Sequence, residues 1–103
     1  VAMHHAFQKM KETGTLKINP ISDQVIAVSC GIFGGLSVLD LDYIEDSGAS
    51  ADVNFVFTGS GKIIEIQGTA EQTPFSEEQL LALLSLARSG CEKLSQKQAE
   101  ALI

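Results

Sequence analysis

Apolar and polar residues follow two different rhythms along this chain. Residues 51–59, ADVNFVFTG, set Val53, Phe55 and Phe57 against Asp52, Asn54 and Val56. That period of two predicts a strand with one buried face. QVIAVSCGIF (24–33) has few polar atoms and reads as a strand buried on both faces. Gly34-Gly35 follows as a two-residue hairpin turn, since both glycines accept positive φ without steric cost. LSVLDLDY (36–43) returns as the partner strand, and GSG (59–61) turns the third run into KIIEIQGTA (62–70). Four strands joined by short connections predict an antiparallel sheet.

Outside this block the period lengthens. Ala2, Ala6, Phe7 and Met10 fall on one side of a helix over residues 1–13, with Gly14 as its stop. Pro20 keeps the connector 15–23 non-helical. Near the C-terminus Ser76 and Gln79 have capping-box spacing, and Phe75 and Leu80 occupy the staple positions. Leu80, Leu83, Leu84, Ala87, Cys91 and Leu94 then form one apolar stripe. The order helix, four strands, helix predicts an α+β fold with the helices packed on one face of a mainly antiparallel sheet. There is no internal repeat, low-complexity tract or domain linker.

Composition narrows the function. At 103 residues and 45% apolar, this is one domain or part of one. The net charge of −6 disfavours unaided binding to nucleic acid or an anionic membrane. Arg88 is the sole arginine, and arginine's rigid fork is the usual grip on phosphate oxygens. Cys30 and Cys91 lack the spacing of a zinc site and read as buried free thiols, which points to the cytoplasm. No apolar run reaches the ~18 residues of a membrane span, and no signal peptide is visible. The chain opens on Val1 with helical residues at once, so it is expected to be a piece of something longer.

The candidate chemistry lies in an acidic cluster. Asp40, Asp42, Glu45, Asp46 and Asp52 are five of the thirteen acids, with no Lys or Arg among them. A calcium EF-hand register started at Asp40 fails, because Glu45 replaces the required Gly and Ala51 the bidentate Glu. GSGK (59–62) imitates the end of a phosphate-binding loop but lies between strands, and no serine has a nucleophile-elbow setting. His4 and His5 are adjacent, so on a helix they diverge and cannot share a metal. If the strand runs to residue 43, Asp40 and Asp42 share one side with Cα atoms about 6.6 Å apart, and Asp46 can fold back toward Asp40. Clustered carboxylates resist joint ionisation unless one is protonated or a cation joins them. The cluster is therefore either a solvated acidic loop or a Mg²⁺ site suited to phosphate chemistry. Tyr43 is expected in the core, Gly68 in a turn after the fourth strand, and Glu65 and Gln67 on the face opposite Ile64 and Ile66.

These segments together resemble the C-terminal half of the ribonuclease PH family. The resemblance rests on NPISDQVIAVSCGI, on LDLDYIEDSGASADVNFVFTGSGKIIEIQGTAEQTPFSEEQLLALLSLARSG, and on their order and spacing. It implies residues 1–20 as the end of an N-terminal domain and 21–103 as the C-terminal domain. It implies a phosphorolytic 3′→5′ exoribonuclease that trims tRNA precursor 3′ ends with inorganic phosphate as co-substrate, releasing nucleoside diphosphates, and that assembles as a hexameric ring. Asp40 and Asp46 would be the catalytic, Mg²⁺-binding pair. The family's phosphate-binding arginines would lie upstream of Val1, none in this chain, so the fragment alone is expected to be inactive. The alternative is a non-catalytic ring subunit or structural paralogue of the exosome and polynucleotide phosphorylase fold. A third reading, a free-standing acidic binding module, would lack an exposed apolar patch.

Overall fold

The computed structural model describes residues 1–102. The strands are β1 (Val25–Phe33), β2 (Leu36–Leu39), β3 (Ala51–Thr58) and β4 (Ile63–Ala70), and the helices α1 (Ala2–Glu12), α2 (Tyr43–Gly48) and α3 (Glu77–Ala101). Gly34 (φ 58°) and Gly35 (φ 77°) make the β1–β2 turn, both in the left-handed region that glycine tolerates. The β3–β4 turn is the GSG segment, fixed by Asp23, which accepts from the Ser60 N–H and hydroxyl. All pairings are antiparallel and the order is β2-β1-β3-β4.

The register explains the core. Ile26, Val28, Cys30 and Ile32 lie opposite Phe57, Phe55, Val53 and Ala51, so two strands present one continuous apolar face. Leu83, Ala87 and Cys91 of α3 close over it. Capping-box bonds between Ser76 and Gln79 start α3 where the sequence places it. Gly90 lets the helix approach β2 closely: a Cβ there would meet the Leu39 methyls at 2.9 and 3.2 Å.

Several expectations change. Helix α1 contributes no buried residue and is not packed on the sheet; Asn19 Nδ2 instead ties it to the connector by donating to the His4 carbonyl and Gln8 Oε1. Strand β1 is buried on both faces only toward its end, where Leu41 lies over Gly31 and Gly48 of α2 meets the Phe33 ring; at its start the side opposite α3 is open and Val25 is 62% exposed. Helix α3 leaves β4 open, so every β4 residue is exposed, and its Ile66 is 45% exposed although it lies opposite buried Phe55. Leu94 falls outside the buried stripe and is exposed, because there α3 meets polar Gln24 through Ser95 and Gln98. Gly68 is within β4, not a turn; its Cβ would press on Val53 at 3.0 Å. Among the described residues no helix is long and apolar enough to cross a membrane.

Candidate active site at the end of the second strand

The second strand stops four residues early. It ends at Leu39, and Asp40 turns into the left-handed region (φ 58°) while its N–H still donates to the Ser29 carbonyl at 2.8 Å. Aspartate enters that region more readily than most residues, because its short polar side chain can bond locally. Asp42 then caps α2: its carboxylate accepts from the Glu45 N–H at 2.8 Å, and Glu45 Oε1 accepts from the Asp42 N–H at 3.1 Å. Asp40 and Asp42 therefore do not share one side of a strand. Tyr43 opens α2 and is 86% exposed instead of entering the core.

The short helix sorts the five acids. Asp42 and Glu45 are committed to each other's backbone, leaving Asp40, Asp46 and Asp52 with other work. Asp46 lies in the first turn of α2, exposed. Asp52 lies on β3 opposite Gly31 and Thr69, on the face of the sheet away from α3, where Leu41 packs over Gly31. Its Oδ1 is buried without a hydrogen-bond partner. Burial pushes its pKa up, and the neighbouring carboxylates of Asp46 and then Glu71 push the same way. One row along the same face, Ser29, Asn54 and Gln67 stand directly opposite one another on β1, β3 and β4. Asp40 borders this row in an open depression of about 700 Å³ that Ser29, Asn54, Glu65 and Gln67 also line. Asp40 thus borders this row, and Asp46 lies near Asp52 in the neighbouring one.

Electrostatically the site is left unbalanced. Among the described residues the only ion pair is Lys97–Glu100 on α3, so no basic side chain neutralises these acids. Nor do three or more His, Cys, Asp or Glu side chains gather into a ready-made metal shell among those residues. An ion that keeps most of its waters and takes one or two carboxylates suits such a donor set, and Mg²⁺ is of that kind. The orphaned Asp52 oxygen beside Asp46 is the feature that most needs a partner. Arg88, the sole arginine, is already engaged: it donates to the Gly61 carbonyl at 3.0 Å and lies 4.9 Å from the Phe57 ring centre.

Sequence reasoning missed α2, although D-x-x-E at 42–45 is a capping-box signal, and it missed the Ser29–Asn54 pair and Glu71. The first could have been read from the spacing. The others depend on strand register, which the alternation alone does not fix.

Residues 23–90 match the 3′ exoribonuclease family, domain 2. The chain is 54% identical to ribonuclease PH of Methylobacterium radiotolerans and 54% identical to that of Methylobacterium nodulans, in each case over 99% of this chain and 43% of the relative. Ribonuclease PH of Methylobacterium sp. strain 4-46 is 52% identical over the same shares. The chain therefore spans less than half the length of these relatives. With the family's domain 2 matched across β1 to β4 and into α3, this chain belongs to the 3′ exoribonuclease family.

Proposed function

We propose that the chain supplies the acidic half of the active site of a phosphate-dependent 3′→5′ exoribonuclease acting on tRNA precursors and other RNA 3′ ends. Inorganic phosphate attacks the phosphorus of the last phosphodiester. The bond to the 3′-oxygen of the preceding nucleotide breaks, that oxygen takes a proton, and a nucleoside diphosphate leaves. Asp40 and Asp46 would hold Mg²⁺, whose contribution when bound is to offset negative charge building on the phosphoryl oxygens. Asp52 backs Asp46 and raises the negative potential there. Asp42 and Glu45 keep the turn in shape.

The observation that carries this reading is the separation of roles within the acid cluster. The capping box consumes Asp42 and Glu45, while Asp40, which lines the open depression, and Asp46, which lies beside Asp52, stay out of it. The chain's similarity to ribonuclease PH of two Methylobacterium species supports the same reading. The phosphate clamp is assigned to residues outside this chain, since Arg88 is occupied. Assembly with further copies into a ring belongs to the same proposal. So does a cytoplasmic location, which the two free buried thiols favour.

The test is phosphorolysis by the full-length protein containing this chain. Asp40→Asn and Asp46→Asn should each lower kcat roughly 10²- to 10³-fold, the scale of losing one electrostatic stabiliser. Asp42→Asn, which keeps a capping side chain, should retain most activity. Full activity in both the Asp40 and Asp46 variants would defeat the assignment.

A further inference from the structure

Two nucleophiles take no part in the chemistry of the acids: Cys30 of β1 and Cys91 of α3, both free and both in the cluster buried between helix and sheet. Their neighbours place them together. Cys30 stands opposite Leu39 of β2, and Leu39 packs on Gly90, the residue before Cys91. A bridge between two cysteines needs their Cα atoms within about 7 Å. Glycine at position 90 removes the Cβ that would hold α3 off the sheet at that level, since it would meet Leu39 at 2.9 Å. The thiols also feel each other's charge: after burial, Cys91 is the next cause of the raised Cys30 pKa.

The two sulfurs are not equally reachable. Cys30 is 0% exposed and Cys91 5%. Cys91 lines an open cavity of about 420 Å³ between α3 and the β3–β4 turn, which Ser60, Arg88 and Ser95 also line. Burial raises the Cys91 pKa, and the Arg88 guanidinium partly offsets that by favouring the thiolate. At Cys30 no cation offsets burial. A scarce thiolate makes attack slow, yet the thiolate of a high-pKa thiol is the stronger nucleophile. Hydrogen peroxide is little larger than water and fits a cavity of this size. The order of reaction follows: Cys91 meets the oxidant first, and Cys30 lies behind it.

We propose that Cys91 and Cys30 are a redox pair, in which a hydroperoxide oxidises Cys91 and Cys30 resolves it to a disulfide tying α3 to β1. The Cys91 thiolate attacks one peroxide oxygen, the O–O bond breaks, and the departing hydroxide leaves as water with the thiol's proton. Cys91 is then a sulfenic acid. The Cys30 sulfur attacks the Cys91 sulfur, the S–O bond breaks, and hydroxide leaves with the Cys30 proton as a second water. The peroxide has gained two electrons and the chain has lost two hydrogens. A thiol reductant reverses the bond by exchange. The bridge lies next to Ser29, whose carbonyl anchors the Asp40 turn, so it fastens α3 to the strand that holds the acids in place. This pairing is independent of the exoribonuclease reading.

Peptide mapping by mass spectrometry tests it. The folded full-length protein containing this chain is held with excess hydrogen peroxide at pH 8, quenched with catalase, then denatured and alkylated with iodoacetamide. The Cys30 and Cys91 peptides should be found joined, lighter by two hydrogens and unalkylated, and should separate and alkylate after dithiothreitol. Cys30→Ala should stop the reaction at the Cys91 sulfenic acid, captured by dimedone. Cys91→Ala should leave Cys30 fully alkylatable, because nothing relays the oxidant to it. Alanine is small and apolar enough for either site, and melting curves taken before oxidation confirm the fold. If a variant does not fold, the map of the parent protein decides alone. Both thiols still alkylated in the peroxide-treated parent, bridges between chains in place of the Cys30–Cys91 bond, or Cys91 carried on to sulfinic acid beside a free Cys30 would each overturn the pair.

Discussion

At Asp52 a single oxygen sets stability against function. A carboxylate buried without a partner and beside two other acids is costly to ionise, which is why its pKa is raised. The sign follows from linkage. The unfolded side chain ionises at its ordinary value near 3.8, while the folded one holds its proton to higher pH. Its ionisation therefore destabilises the fold progressively as pH rises above the ordinary carboxylate range. In metal-free buffer, Asp52→Asn should raise Tm at pH 7, and the difference should shrink toward pH 4. Thermal unfolding at the two pH values checks this, and a variant less stable at pH 7 would contradict it. The thiols give the opposite kind of residue-scale prediction. Burial pushes Cys30 up to about 11, with Cys91 adding a smaller push, and burial also raises Cys91. Both should resist iodoacetamide at pH 8 in the folded chain and react only after denaturation, as counted by mass spectrometry.

The elements show where the sequence was legible and where it was not. The alternation in residues 51–59 and the Gly34-Gly35 turn were readable because each is a local rule with little competition from distant contacts. Strand β2 was misjudged because LDLDY alternates convincingly, yet a capping box beginning at Asp42 competes for the same backbone and prevails. Asp42→Ala should therefore cost about 0.5–2 kcal/mol by removing the α2 cap. It should also loosen the approach to Asp46, whose N–H bonds the Asp42 carbonyl at 2.8 Å. Chemical denaturation reads the first effect. The stripe on α3 was right in kind and less exact at its ends. Leu83 is fully buried and Leu84 only partly, so Leu83→Ala should cost about 2–5 kcal/mol and Leu84→Ala clearly less. Equal losses at the two positions would mean that α3 packs on a different side.

For the whole molecule, the decisive quantity is which charges are available. The chain carries seven basic residues against thirteen acidic ones. Its one arginine is bound to a turn carbonyl and stacked on Phe57, where it holds α3 to the β3–β4 hairpin. Freeing it for a phosphate would leave that carbonyl and that ring without their partner. The uncovered face is rimmed by carboxylates that repel inorganic phosphate, and a Mg²⁺ ion held there offsets the repulsion only in part. An attacking phosphate needs a second, cationic wall, and the length of the relatives beyond this chain has room for one. The 103-residue chain incubated with a tRNA precursor, Mg²⁺ and phosphate is thus expected to release no nucleoside diphosphate. The full-length protein containing it should release it, and should stop when phosphate is withheld. Arg88→Lys in that protein should lower Tm through the weakened contact with the Phe57 ring and the lost bond to the Gly61 carbonyl, while leaving KM for phosphate unchanged. A raised KM for phosphate in that variant would return Arg88 to the active site and remove the reason for seeking the clamp elsewhere.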